Sequence, residues 1–397
     1  MKKDRRKFLG TAATLLSASV AYPSINFSII NFKKANTVKI GIIGTGSRGM
    51  GLMRILNRIE GVEIIGLCDT LSFRLKDASK ISPNAKKYKN HIALLENKDI
   101  EAIIITTPLN THAKIASDAV DANVHIYCEK TMVKGVKETT DLVNKVLKRH
   151  KKIFQTGHQY RSSRLYTHAV ELIKNGKVGK VNSIRAQWNR NGNWRRPVPD
   201  QTLERQINWR MYREYSYGLL AELSSHQIDF ANWLFDSHPE KVTGFGGIDY
   251  WKDGRETYDN THVIYAYPNG VKASYTCLTG NAKDDYKIHV MGDKGTMVLD
   301  YAKAWFYPEG SYTKKYGDVD GVSGATTNWE AGKGIPLDFD HIDPTQQALE
   351  DFRDSIVKGI PPLSDVISGA KVSYAIDMGI RAMDQNKTIE WDPSYNF

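Results

Sequence analysis

The sequence predicts an α/β domain with a parallel sheet, followed by an α+β domain built on a large, mostly antiparallel open sheet. Three observations predict it. From Val38 to Phe154, short apolar runs alternate with helical repeats, the pattern of strands joined by crossover helices. Beyond Ile173 the apolar period changes to two, and turn residues separate the runs, which marks antiparallel strands. The length, 397 residues, is too great for one ordinary domain and suits two.

The first domain is expected over residues 37–158. Val38 to Ile43 is almost fully apolar, as in a strand buried on both faces. Gly44-Thr45-Gly46-Ser47-Arg48-Gly49 follows at once, and Leu52, Ile55, Leu56 and Ile59 then recur at helical spacing. Strand, glycine loop and helix in that order form the dinucleotide fingerprint of a Rossmann domain. Gly44 makes the turn, Gly46 admits the pyrophosphate, Gly49 lets helix and strand approach, and the helix N-terminus faces the phosphates. A second strand, Val62 to Cys68, ends in Asp69, twenty residues after Gly49. An acid there binds the ribose hydroxyls and repels the extra phosphate of NADP, so NAD is the expected cofactor. The alternation continues with a helical patch at Leu94, a strand at Ala102 to Ile105, and a helix from His112 to Ala122. A strand at Val124 to Cys128, a helix from Val136 to Leu147 and a strand at Ile153 follow. Ligands of such a sheet sit at the carboxyl ends of its strands. Those ends carry Thr106 to His112, Glu129-Lys130-Thr131 and Gly157 to Arg161.

The second domain is expected over residues 159–397. Leu165, Ala169, Leu172 and Ile173 share a helix face, and Ile184, Ala186 and Trp188 then alternate with polar residues. Asn269-Gly270 joins Val263–Tyr267 to Val271–Cys277 as a hairpin. A second hairpin turns at Gly292 to Gly295, and helices follow around Phe352 and from Asp365 to Met383.

The first 36 residues read as an address and a linker. Asp4-Arg5-Arg6-Lys7-Phe8-Leu9 is a twin-arginine pattern, a weakly apolar stretch runs to Val20, and Ser19-Val20-Ala21 offers a cleavage site. That run is too short and too polar to span a bilayer. Periplasmic delivery of a folded, cofactor-loaded protein is the expectation. The formal charge of +11 is partly this segment's, and no basic stripe or motif points to nucleic acid. The three cysteines are too few for a disulfide scaffold, and no Cys/His spacing suggests a metal site.

With these pieces placed, the chain resembles the Gfo/Idh/MocA oxidoreductase superfamily from Val38 to the C-terminus. The resemblance rests on Gly44 to Gly49, Thr107-Pro108 with His112, Glu129-Lys130, Gly218 to Asp229, and Gly292 to Gly295. It implies that Gly44, Gly46, Ser47, Arg48, Gly49, Asp69, Thr107, Pro108, His112, Glu129 and Lys130 form the NAD site. It also implies that Lys130 touches both the nicotinamide ribose and the substrate hydroxyl. Where the family has proline after this lysine the chain has Thr131, and where it has aspartate four residues before its acid/base histidine the chain has Glu222, ahead of His226.

The residues support that chemistry. Oxidising an alcohol needs a base, and His226 titrates in the right range. Spacing of four puts Glu222 on its helix face, where it is expected to orient the imidazole. Lys130 is expected to hydrogen-bond the reacting oxygen. His158 and Arg161 follow a strand end near the cofactor, whereas His125 inside a strand reads as structural. An unusual insert, Asn189 to Tyr217, holds Trp194, Trp209, Arg210 and Tyr217. Aromatic planes beside polar groups suit a sugar, so these four join His158 and Arg161 as expected substrate contacts. The expected activity is NAD-dependent oxidation of a ring hydroxyl on a sugar or glycoside, in a homo-oligomer. Two alternatives stand beside it. One is an NAD-dependent glycoside hydrolase working by transient oxidation and elimination, although such relatives carry Cys-Tyr where this chain has His158-Gln159-Tyr160. The other is a sugar sensor that kept the nucleotide fold.

Overall fold

A computed structural model describes residues 37–309, 313–316, 327–330, 334–339 and 342–397. The twin-arginine segment and its linker lie outside the described residues. Thr37–Phe397 is one compact unit.

Among the described residues, six strands form the first sheet: β1 (Val38–Ile43), β2 (Val62–Cys68), β3 (Lys86–Tyr88), β4 (Ala102–Ile105), β5 (His125–Cys128) and β6 (Phe154–Thr156). Their order is β3-β2-β1-β4-β5-β6, and every pair is parallel. The crossover helices are α1 (Ser47–Leu56), α2 (Ser72–Ala78), α3 (His91–Leu95), α4 (His112–Asp121) and α5 (Val136–Arg149). The fully apolar β4 shows why its sequence does not alternate. Ala102 and Ile104 join one core, and Ile103 and Ile105 join the core on the other face. The order reverses between β1 and β4, so a crevice opens beyond their carboxyl ends, where ligands of such sheets bind.

After α6 (Arg164–Lys174) the chain builds the second sheet from β7 (Val181–Asn191). A short helix α7 (Glu204–Ile207) and α8 (Ser225–Phe235) lead into β8 (Lys241–Gly247), β9 (Asn260–Ala266), β10 (Lys272–Leu278), β11 (Gly280–Gly292), β12 (Gly295–Leu299) and β13 (Ala304–Pro308). A small separate ladder pairs β14 (Thr313–Tyr316) with β15 (Thr327–Glu330), and β16 (Ile335–Pro336) follows. The chain ends with α9 (Pro344–Lys358), α10 (Val366–Gln385) and β17 (Ile389–Glu390). The larger sheet runs β16-β13-β12-β11-β7-β10-β9-β8-β17. Only β7 and β10 pair in parallel among these described strands. Period two sorts its residues. Ile184, Tyr265, Ala273, Tyr275 and Ile288 are buried in the core, whereas Phe245 and Ile264 are exposed.

One element departs from its place in the sequence. α9 falls in the stretch read as the second domain, yet Leu349 and Phe352 join the core of the first sheet with Ile40, Leu52 and Ile104. The ring of Phe352 meets Tyr127 edge-on at 5.6 Å. Apolar spacing shows that a helix has a buried face but not which sheet receives it. No helix among the described residues is long and apolar enough to cross a membrane.

Arg161 is a structural residue of this fold. Its guanidinium grips both oxygens of Asp229 on α8 at 2.8–3.0 Å, with a further hydrogen bond to the Leu363 carbonyl. Side-chain exposure is 11% for Arg161 and 2% for Asp229. Arg161→Ala leaves a buried carboxylate without its cation, so we expect a loss of about 3–5 kcal/mol in a denaturant titration. Arg161→Met combined with Asp229→Leu should lose much less.

Candidate active site

The glycine loop leaves β1 by a turn that only glycine fits. Gly44 has φ +94°, and a Cβ there would lie 2.7 Å from the Thr106 carbonyl carbon. A Cβ on Gly49 would lie 2.1 Å from the Gly44 oxygen, so α1 and β1 are in backbone contact. Gly46 faces open space, with Arg74 its nearest neighbour at 3.6 Å. α1 starts without a side-chain cap and without an acid in its first turn, leaving its N–H groups free for an anion. The crevice here is a cavity of about 930 Å³ lined by Gly44, Gly46, Ser47, Asp69, Thr107 and Pro108 among others. That is within the roughly 300–1,000 Å³ of cofactor sites. Gly49 supports the loop without lining the cavity.

Asp69 is buried at the end of β2. Its carboxylate accepts from Thr45 N at 2.8 Å, Thr45 Oγ1 at 3.1 Å and Leu71 N at 2.9 Å. A carboxylate offers about four acceptor sites, so capacity for a ribose hydroxyl remains. The chemistry of this wall, glycine backbone at a helix N-terminus with an acid beyond it, fits a dinucleotide.

The ends of β4 and β5 form the floor. Arg48 reaches across from α1 and donates to Glu129 at 2.7 Å and to the Gln159 side chain at 3.1 Å. His112 is 2% exposed. Its Nε2 faces the Thr107 carbonyl at 3.0 Å, and its Nδ1 faces those of Thr131 and Met132 at 3.1 and 3.2 Å. Burial lowers its pKa against the pull of those carbonyls. His112 thus ties two loops together, and its ring nitrogens are already taken. Thr131, in the family proline's position, follows a cis peptide and donates to the Ala221 carbonyl at 2.9 Å.

Lys130 stands where this floor meets the second sheet's helices. Its amine donates to the Glu222 carbonyl oxygen at 2.8 Å. Burial lowers its pKa, and the Glu222 and Glu129 carboxylates oppose that shift. Glu222 and His226 do not pair as the spacing suggests. Leu220–Ser224 is a π-helical turn ahead of α8, and a π turn bonds i to i+5, so residues four apart no longer stack. The Glu222 carboxylate instead accepts from Arg210 Nε at 2.8 Å and from the Ser216 hydroxyl at 3.3 Å. The Arg210 charge, with Lys130, holds its pKa below the usual carboxylate range against burial.

His226 is 4% exposed, and its Nδ1 is buried with no hydrogen-bond partner among the described residues. Its ring rests edge-on against Tyr160 at 5.3 Å and His158 at 6.0 Å, and tilted against Trp188 at 5.6 Å. Burial, then the positive charge of Lys130, pushes its pKa well below the usual value. Lys130 and His226 share a second cavity of about 540 Å³ with Glu129, Glu222, Arg190, Trp194, Trp209 and Arg210.

Three expected substrate contacts lie elsewhere. Arg161 is held by Asp229. The Tyr217 hydroxyl donates to Asp377 at 2.9 Å, with the Lys134 amine 4.8 Å from its ring centre. His158 is buried behind His226 with both ring nitrogens unpartnered, and burial pushes it down to about 4. His125 accepts from Ile153 N at 3.0 Å within the sheet. What the sequence did not reveal is where the insert goes. Arg196 donates to the Ser47 hydroxyl, and Gln206 donates to Thr70 Oγ1 at 2.7 Å, so the insert walls the larger cavity. Its aromatic and basic composition was the available signal, but composition carries no address.

Residues 38–158 match the family model described as "Oxidoreductase family, NAD-binding Rossmann fold", and residues 166–298 match the Gfo/Idh/MocA C-terminal domain. The chain belongs to the Gfo/Idh/MocA oxidoreductase family. Its first sheet is therefore an NAD-binding one. Among the relatives of this family member is inositol 2-dehydrogenase of Salmonella typhimurium, 28% identical over 52% of this chain and 57% of that protein. The matched stretch thus spans little more than half of that relative. A 2,7-anhydro-N-acetylneuraminate hydratase of Mediterraneibacter gnavus is 27% identical over 66% of this chain and 67% of its own. The fold is shared with levoglucosan dehydrogenase solved with NADH and levoglucosan, at TM-score 0.72 and 16% identity over 89% of this chain and 99% of that one.

Proposed function

We propose that this chain is an NAD-dependent oxidoreductase that oxidises a ring hydroxyl of a sugar or glycoside. The observation that carries the reading is that Lys130 and His226 line one cavity, which shares Arg48, Thr107 and Trp209 with the wall of the nucleotide crevice. The relatives named for inositol and for an anhydro sugar support a polyhydroxylated substrate.

The chemistry that NAD supplies when bound is acceptance of a hydride from the carbinol carbon. The chain's own residues manage the oxygen and its proton. His226 is neutral at pH 7, because burial and Lys130 disfavour its imidazolium. A neutral ring with Nδ1 enclosed has Nε2 to accept the hydroxyl proton. Lys130 hydrogen-bonds the same oxygen and stabilises the negative charge that grows there. Glu222 does not touch the imidazole. Its carboxylate favours the ammonium form of Lys130 and holds Arg210, which makes it a positioning residue. Trp194 and Trp209 offer planes to a sugar ring.

We also propose that the protein is exported folded by the twin-arginine route with NAD already bound, a reading that rests on Asp4 to Leu9. NAD should then co-purify from the periplasm and appear in the supernatant after denaturation. Protein found only in the cytoplasm would overturn export.

His226→Ala should lower turnover by roughly two to four orders of magnitude, the usual worth of a positioned base, with NAD affinity unchanged. NADH formation against a panel of sugars and glycosides reads it, and near-normal turnover would remove His226 as the base. Mass analysis of the same reactions reads the alternative, since a relative is named for hydration. Glycoside cleavage without net NADH would favour transient oxidation.

The pH profile gives a further check. The pKa of His226 is depressed, so the acid limb of kcat/KM should lie below pH 6.5. Glu222 raises the pKa of Lys130, so Glu222→Gln should lower it and shift the alkaline limb to lower pH. An acid limb that moves instead would restore a Glu222–His226 pair.

A further inference from the structure

The second cavity holds more positive charge than its carboxylates answer. Arg48 is paired with Glu129, Arg210 with Glu222, and Arg195 with Glu204 and Asp253. Lys130 serves the reacting oxygen, and Arg196 lies on the wall shared with the nucleotide crevice, beside Ser47 at the helix N-terminus. Arg190 is left, without a carboxylate partner among the described residues. Asp285, a charge neighbour of Tyr301 like Arg190 itself, is engaged by the Tyr301 hydroxyl at 2.9 Å.

The position of Arg190 is set by the strand. It follows Trp188 by two residues on β7, so the pleat puts both side chains on one face. Its guanidinium carbon lies 5.2 Å from the Trp188 ring centre. A ring face orients a guanidinium without cancelling its charge. The same Trp188 ring stands 5.6 Å from His226. An exposed, planar cation with no carboxylate partner among the described residues is therefore held one ring away from the base, at the rim of a cavity with tryptophan walls. A neutral hydroxyl needs no such charge. A guanidinium fork matches the two oxygens of an oxyanion, and charge of one sign lining a cleft draws in a ligand of the other.

We propose that the substrate is an acidic sugar, whose carboxylate or sulfate group is received by Arg190. This rests on the reading of the second cavity as the sugar site. The test is calorimetric binding to the full chain saturated with NAD. The probes are glucuronate and galacturonate, glucose 6-sulfate and galactose 6-sulfate, and the neutral glucose and galactose. At least one acid should bind roughly tenfold or more tightly than its neutral counterpart. Arg190→Ala should close that gap, and Arg190→Lys should restore only part of it. The uronates and sulfates, compared with each other, tell which oxyanion the site prefers. Binding of every acid no tighter than the neutral sugars would overturn the proposal, and so would a gap that survives Arg190→Ala. NADH formation is read separately on the same sugars. Selective binding of an acid without NADH overturns the dehydrogenase reading alone, and NADH from neutral sugars with no acid preference overturns this inference alone.

Discussion

Two hydrogen bonds between the halves of the molecule set the rest of the site. The Lys130 amine donates to the Glu222 carbonyl, and the Thr131 hydroxyl donates to the Ala221 carbonyl. Both acceptors belong to the π turn ahead of α8. A turn that abandons the i to i+4 pattern leaves carbonyls short of partners, and a buried carbonyl must find one. The end of β5 supplies the missing donors. Because α8 carries His226 a few residues on, the same bonds that satisfy the turn fix the distance between the lysine of one sheet and the histidine of the other helix layer. His112 holds the far side of this splice by facing carbonyls on both loops.

Charge is then distributed around that splice with little waste. Each buried carboxylate has a guanidinium, Glu129 with Arg48 and Glu222 with Arg210. These pairs sit beside both cavities, so each of the two carboxylates there is answered, while Lys130 and Arg196 leave the surroundings net positive. The imidazole between them is the exception. Surrounded by Lys130, Arg48 and aromatic rings, His226 is kept neutral by its surroundings rather than by a partner. A carboxylate bonded to it would have favoured the imidazolium.

The reach of the sequence follows from which forces are local. β1, β2 and β4 appear with the boundaries their apolar runs give, because a strand buried on both faces has no other way to be written. The β9–β10 hairpin was legible from Asn269-Gly270 for the same reason. The parallel pairing of β7 with β10 was not, since register between distant strands leaves no local mark. Nor was the docking of α9 on the first sheet. In the site, Lys130 and His226 were placed together by their context, but the Glu222–His226 pair was read from α-helical spacing that the π turn removes. Arg161 and Tyr217 carry polar groups in plausible places, and only the three-dimensional fold shows Asp229 and Asp377 claiming them. Arg190 went unmarked although the alternation through Trp188 points to it.

Cys68, Cys128 and Cys277 are all free and buried, and all three belong to the same core. Burial pushes the thiols of Cys68 and Cys277 up to about 12 and about 11, and that of Cys128 higher still. A thiol held protonated and out of reach of solvent neither attacks a disulfide nor is oxidised readily. The three cysteines therefore have no thiol chemistry to exchange with their surroundings. In the folded state the chain's three thiols stay as they are in a reducing or an oxidising medium.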